Sequence, residues 1–149
     1  VANAVYNKGL EELAKALSDL DGSDLRVLLV KSTYTFSKDH LFVDDGSADD
    51  PASHEVTVAG YTRQTLANKV VTRDDTNDFT YLDGDDVVFT GLAAGETVGG
   101  AILFRHTGTD TTAPLMSFYD LVDTATNGGN VTMQWNTPAN GGVLKLQSG

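Results

Sequence analysis

Three histidines, 21 acidic residues and one tryptophan are the side chains in this sequence best suited to chemistry, and cysteine is absent. His40, His54 and His106 are too scattered for a sequence-local metal motif. His106, Asp110 and a serine make a hydrolase triad on paper, but no G-x-S-x-G elbow or comparable context accompanies them. The acidic clusters at Asp44-Asp45, Asp49-Asp50, 74–78 and 83–86 offer the hard oxygen ligands that calcium takes from one loop. Asp74, Thr76 and Asp78 alternate loosely, yet no glycine stands at the sharp-turn position and no glutamate closes the set. Turn-forming aspartates and negative surface charge explain these clusters better. Trp135, with Tyr119 and Phe118, offers an aromatic platform for a sugar, although a lone tryptophan on an alternating strand more often belongs to a core. The G-G-A-I run at 99–102 lacks the spacing of a dinucleotide loop. Without cysteine there is no disulfide framework, thiolate zinc site or thiol nucleophile. No catalytic residue, cofactor site or metal site is expected, and the chain is not read as an enzyme.

The elements that would position any site are mostly strands. Residues 97–106, T-V-G-G-A-I-L-F-R-H, are apolar on both faces: Val98, Gly100, Ile102 and Phe104 on one, Gly99, Ala101 and Leu103 on the other. Such a strand belongs inside, with the paired glycines where another layer comes close. L-R-V-L-L-V-K-S at 25–32 reads as a second inner strand, polar only at Arg26. Before it, Leu10, Leu13, Ala14 and Leu17 follow i, i+3, i+4, i+7, and Glu11 precedes Lys15 by four, which predicts a helix over 8–20 stopped by Asp21-Gly22. Its leucine stripe is expected to pack on the sheet; the alternative is that it faces another subunit. Residues 1–7 form an arm that is either frayed or laid on a neighbour.

Residues 33–51 carry no clear period, and a loop this long in a compact domain is a candidate contact surface or flap, with a short helical turn expected at F-S-K-D-H-L-F. The segments 55–65 and 69–73 read as neighbouring strands. F-T-Y-L and V-V-F-T follow as hairpin strands around Asp and Gly turns, then a strand from Leu115, the alternating Val131, Met133 and Trp135, and a closing V-L-K-L. One N-terminal amphipathic helix followed by many short strands predicts a mainly β single domain over 1–149, an antiparallel β-sandwich or barrel of jelly-roll type spanning 25–147.

At 149 residues with 40% hydrophobic and 21% charged content, the chain fits one globular core. The net charge of −11 opposes binding to a phosphate backbone, so nucleic acid is not an expected partner. No apolar run is long enough to span a bilayer, and the first residues have neither a basic nor an apolar leader region, so a soluble chain without export signal or membrane contact is expected.

The blocks V-L-L-V-K-S-T-Y-T-F-S-K-D-H-L-F-V-D-D (27–45), V-A-G-Y-T-R-Q-T-L, V-T-R-D-D-T-N-D, L-D-G-D-D-V-V-F, G-G-A-I-L-F-R-H-T-G and N-V-T-M-Q-W-N-T resemble, in that order, a family of small structural proteins of tailed double-stranded DNA bacteriophages. The resemblance covers nearly the whole chain. It implies a virion protein made in the bacterial host cytoplasm, above all a capsid decoration or cement protein that binds the outer surface of the head and stabilises it. The implied partners are the major capsid protein and copies of the chain itself as a homo-oligomer. The alternatives are a tail or head-to-tail joining protein, and a carbohydrate- or calcium-binding host-attachment module. No catalytic residues are carried over. The contact elements expected are the arm, the 33–51 loop and an exposed sheet edge, with Val5, Tyr6, Phe36, His40 and Phe42 as candidate contact residues.

Overall fold

The computed structural model describes residues 2–15, 17 and 19–147. It is mainly β, with antiparallel sheets and one N-terminal helix, and the sheets do not close into a barrel. The largest sheet has five strands: β1 (Ala4–Val5), β2 (Leu25–Lys31), β3 (Gln64–Thr65), β7 (Thr97–Arg105) and β8 (Leu115–Ala125), in the order β1-β8-β7-β2-β3. A three-stranded sheet has β5 (Phe79–Asp83) between β4 (Val70–Asp74) and β10 (Leu144–Gln147), and β6 (Val87–Phe89) pairs with β9 (Val131–Met133). The main core lies between the large sheet and the two small ones. Val27, Leu29, Ala101, Leu103 and Tyr119 supply one side, and Leu82, Leu144, Val87, Phe89 and Met133 supply the other. Burial of these apolar side chains is the dominant stabilising term.

Strand β7 is central, as its doubly apolar pattern predicts. Its two glycines meet neighbours closely: a Cβ on Gly99 would lie 2.5 Å from the Ser32 Cα, and one on Gly100 would lie 2.6 Å from the Phe118 ring. The alternation breaks at Gly99, where the pairing register shifts between Val98 and Gly100. The bulge turns Val98 into the main core beside Ala101 and Leu103, away from Ile102 and Phe104, which face a second cluster on the other side of the sheet.

Helix α1 spans Asn7–Ala14, shorter than the 8–20 expected, and residues 16 and 18 lie outside those described. Its buried face is not the leucine stripe. Leu10 and Leu17 are 51% and 52% exposed, whereas Gly9 and Glu12 are buried and Leu13 reaches the core edge. The reason is backbone proximity and charge. A Cβ on Gly9 would lie 2.6 Å from the Met116 carbonyl oxygen, so α1 sits directly against β8, and Glu12 turns inward to meet Arg105.

Other pairings also differ from the sequence pattern. The 55–65 segment and β4 are not neighbours: Glu55, Val56 and β3 line the open side of β2, while β4 pairs with β5 in another sheet. The V-V-F strand pairs with β9 rather than folding back on β5. The 33–51 loop has no helical turn, and backbone hydrogen bonds pin it: Asn7 donates to the Lys38 carbonyl, Leu115 to Leu41, Val43 to Ala113 and Ala52 to Val43.

Candidate functional site

The expected contact elements come together on one side of the large sheet. Strand β1 pairs with β8 at Ala4–Phe118 and Val5–Ser117, so the arm is laid on its own chain. The next residue, Tyr6, donates its N–H to the Met116 carbonyl and passes its ring into the second core cluster, with no solvent exposure. The loop then closes over it. Phe36 stacks on Phe118 with centroids 5.2 Å apart and meets Tyr6 at 5.0 Å.

Three polar groups thread this apolar cluster. The Tyr6 and Tyr34 hydroxyls are 2.9 Å apart, and the Tyr34 hydroxyl is 2.9 Å from His40 Nδ1. Burial raises both phenols, Tyr34 to about 12, so both stay protonated and the chain of hydrogen bonds is neutral at the tyrosines. Buried hydroxyls without partners would cost free energy, and here each has one. The relay therefore fixes the arm to the loop.

Of the five candidate contact residues, Tyr6 and His40 converge on Tyr34, which no local motif singles out, and Phe36 packs on Tyr6 and Phe118 beside them. Tyr6 is fully buried. Val5, Phe36, His40 and Phe42 are half-buried at the margin, with the Lys8 ammonium 5.5 Å above the Phe42 ring. The exposed apolar side chains of this region are Leu10 and Leu17, just after the arm, and Leu41 at 45% exposure on the loop.

Several of the groups considered for catalysis or metal binding make structural hydrogen bonds. Both oxygens of Asp110 accept from Arg63, at 2.7 and 2.8 Å, and Arg63 also donates to both oxygens of Glu55. Arg63 holds the Asp110 carboxyl below its ordinary range, and among the described residues no hydrogen bond joins that carboxylate to His106. Asp44, Asp45 and Asp74 accept backbone N–H groups two residues ahead, the geometry of Asx turns. Asp50 is buried; burial pushes its carboxyl up, but hydrogen bonds from Ser53 and Asp45 outweigh that and leave it lowered. Among the described residues, no three His, Asp or Glu side chains gather as a metal-binding group.

The aromatic platform is not assembled. Trp135 is a core residue whose indole N–H donates to the Asp85 carbonyl at 2.8 Å, and it meets Tyr119 edge-on at 5.0 Å. Phe118 lies in the other cluster, across the sheet. A cleft of about 290 Å³ runs between β1 and β10, lined in part by Asn3, Asn136, Asn140 and Lys145. The chain matches no family model, no curated protein and no solved structure.

Proposed function

We propose that this chain is a structural protein of a tailed bacteriophage particle, acting as a decoration protein on the outer surface of the head. The sequence blocks quoted above support the virion setting. The observation that carries a binding role is the leucine display: Leu10, Leu17 and Leu41 stay exposed beside an arm paired to β8 and a loop pinned by backbone hydrogen bonds. A rigid surface with exposed apolar side chains loses little conformational entropy when it docks on another protein. Many copies, each held by modest contacts, would stabilise the assembled shell because they bind it in preference to free subunits. The charge of −11 suits an outer surface better than one facing packaged DNA.

Electron microscopy of particles carrying a tagged copy tests this. Regular density on the head exterior is expected, together with heads that survive heating better when the protein is added back. Density confined to the tail or neck would overturn the decoration reading in favour of a joining protein.

A further inference from the structure

We infer that β4 is a self-association edge, and that two copies of the chain pair β4 against β4 about a two-fold axis to form one continuous six-stranded sheet. This goes beyond the decoration reading and does not depend on where the protein sits in a particle.

The edges of the large sheet and of β10 are closed or obstructed. On the large sheet, β8 is covered by β1 and α1, and the Asp120 N–H is taken by the Asn3 side chain. Farther along, residues 121–123 of β8 stand opposite Gly99 alone, a bulge at which Thr124 donates to the Val122 carbonyl. The opposite edge, β2, is covered by β3, by the Val56 N–H on the Leu29 carbonyl, and by the Tyr61 hydroxyl accepting from the Leu29 N–H. Strand β10 faces β1 across the cleft.

Strand β4 has none of these protections. It ends its sheet, its register with β5 is unbroken over all five residues, and it contains neither proline nor glycine. Val70 and Val71 are 48% and 37% exposed. Successive strand residues point to opposite faces, so β4 shows an apolar side chain on both. A partner strand would cover both.

Charge and register identify that partner as a second copy. In an antiparallel pair about a two-fold, facing residues share hydrogen-bonding direction, so the axis must pass at a residue and not between two. With the axis at Thr72 all five residues of β4 overlap, and Lys69, just before the strand, faces Asp75, just after it, of the other copy, twice per dimer; Asp75 is paired with Arg73 of its own chain at 2.8 Å, and the Lys69 ammonium would join that pair. With the axis at Val71, Lys69 faces Arg73, and with the axis at Arg73 two guanidinium groups face each other. Opposite charges across strands stabilise, and like charges oppose pairing. Only the Thr72 register has full overlap and matched charge.

Sedimentation of the whole chain at physiological ionic strength, where charge repulsion is screened beyond about 8 Å, tests the pairing. Wild type is expected to move from monomer to dimer as concentration rises toward about 1 mM. Lys69→Asp and Asp75→Lys should each weaken dimerisation by about tenfold, and the double variant should restore it. Asp75 is exposed and Lys69 is half-buried with its ammonium on the Leu66 carbonyl at 3.3 Å, so circular dichroism, expected to show all three variants folded, accompanies the sedimentation. Amide exchange along β4 that slows with concentration gives a second readout without substitution. A chain that stays monomeric throughout, or a dimer indifferent to both charge reversals, overturns the inference.

Discussion

Arg105 at the end of β7 donates to one oxygen of Glu12 in α1, from Nη2 at 2.9 Å and from Nε at 3.2 Å. Glu12 is only 2% exposed, and Lys8 approaches its other oxygen at 3.5 Å. A carboxylate this deep needs its counter-charges, because desolvation disfavours the ion unless paired and hydrogen-bonded.

Removing one partner should therefore cost more than removing both. Arg105→Ala is expected to lower stability by about 3 kcal/mol in equilibrium urea unfolding, since it takes the hydrogen-bonded guanidinium from the buried Glu12 carboxylate and leaves Lys8, at 3.5 Å, as counter-charge. The pair Glu12→Leu with Arg105→Leu should cost distinctly less. Equal losses in the two proteins would show that Glu12 is not dependent on Arg105.

Acid should weaken the fold in a definite window. Arg63 lowers the Asp110 carboxyl, Arg26 lowers Asp24, and Glu96 is lowered by hydrogen bonds from Thr57 that outweigh its burial. A group whose folded value is depressed contributes stability above its unfolded value, and that stability is lost as pH falls through the folded one. The melting temperature should thus be flat from pH 7 to about 5 and drop below about pH 4. Arg63→Met should shallow that drop while lowering stability at neutral pH; an unchanged acid slope would remove Asp110 from the account.

Gly99 should resist replacement. A methyl group there meets the backbone of Ser32, which cannot swing aside like a side chain, so Gly99→Ala is expected to cost about 1–3 kcal/mol, read as a lowered melting temperature. A neutral outcome would mean that the bulge adapts.

Tyr34→Phe removes the middle of the Tyr6–Tyr34–His40 chain and leaves the buried Tyr6 hydroxyl without its partner. A loss of about 1–3 kcal/mol is expected, with faster amide exchange at Tyr6 and along the arm. Leu10→Glu, by contrast, should leave stability within about 0.5 kcal/mol, because the side chain packs little. If the decoration reading holds, the same substitution weakens attachment to heads.

The inner strands were legible in the sequence because their burial on both faces leaves an uninterrupted apolar run, as at 27–30 and 101–104. The helix was legible in existence but not in orientation. Its leucine spacing is a local signal, whereas the decision to bury Gly9 and Glu12 is made by the Met116 backbone and by Arg105, both far along the chain. Val98 was placed on the wrong face for a similar reason, since strict alternation carries no warning of a bulge. Strand partners were the least legible: nothing in V-V-F announces β9 rather than β5. Within the candidate site, the aromatic residues of the arm and loop were visible as types, but Tyr34 becomes the hub only when residues 6 and 40 are brought to it.

The seating of Ala4 beside Phe118 bears on how the molecule is made. Chain emerging from a ribosome has nothing to receive β1 and α1 until β8 has been synthesised, so these two elements are among the last to find their place. Until then Leu10, Leu13 and Leu17 are carried on an unanchored segment, and nascent chains stalled before residue 115 should be cut by protease within β1 and α1, where completed chains resist it.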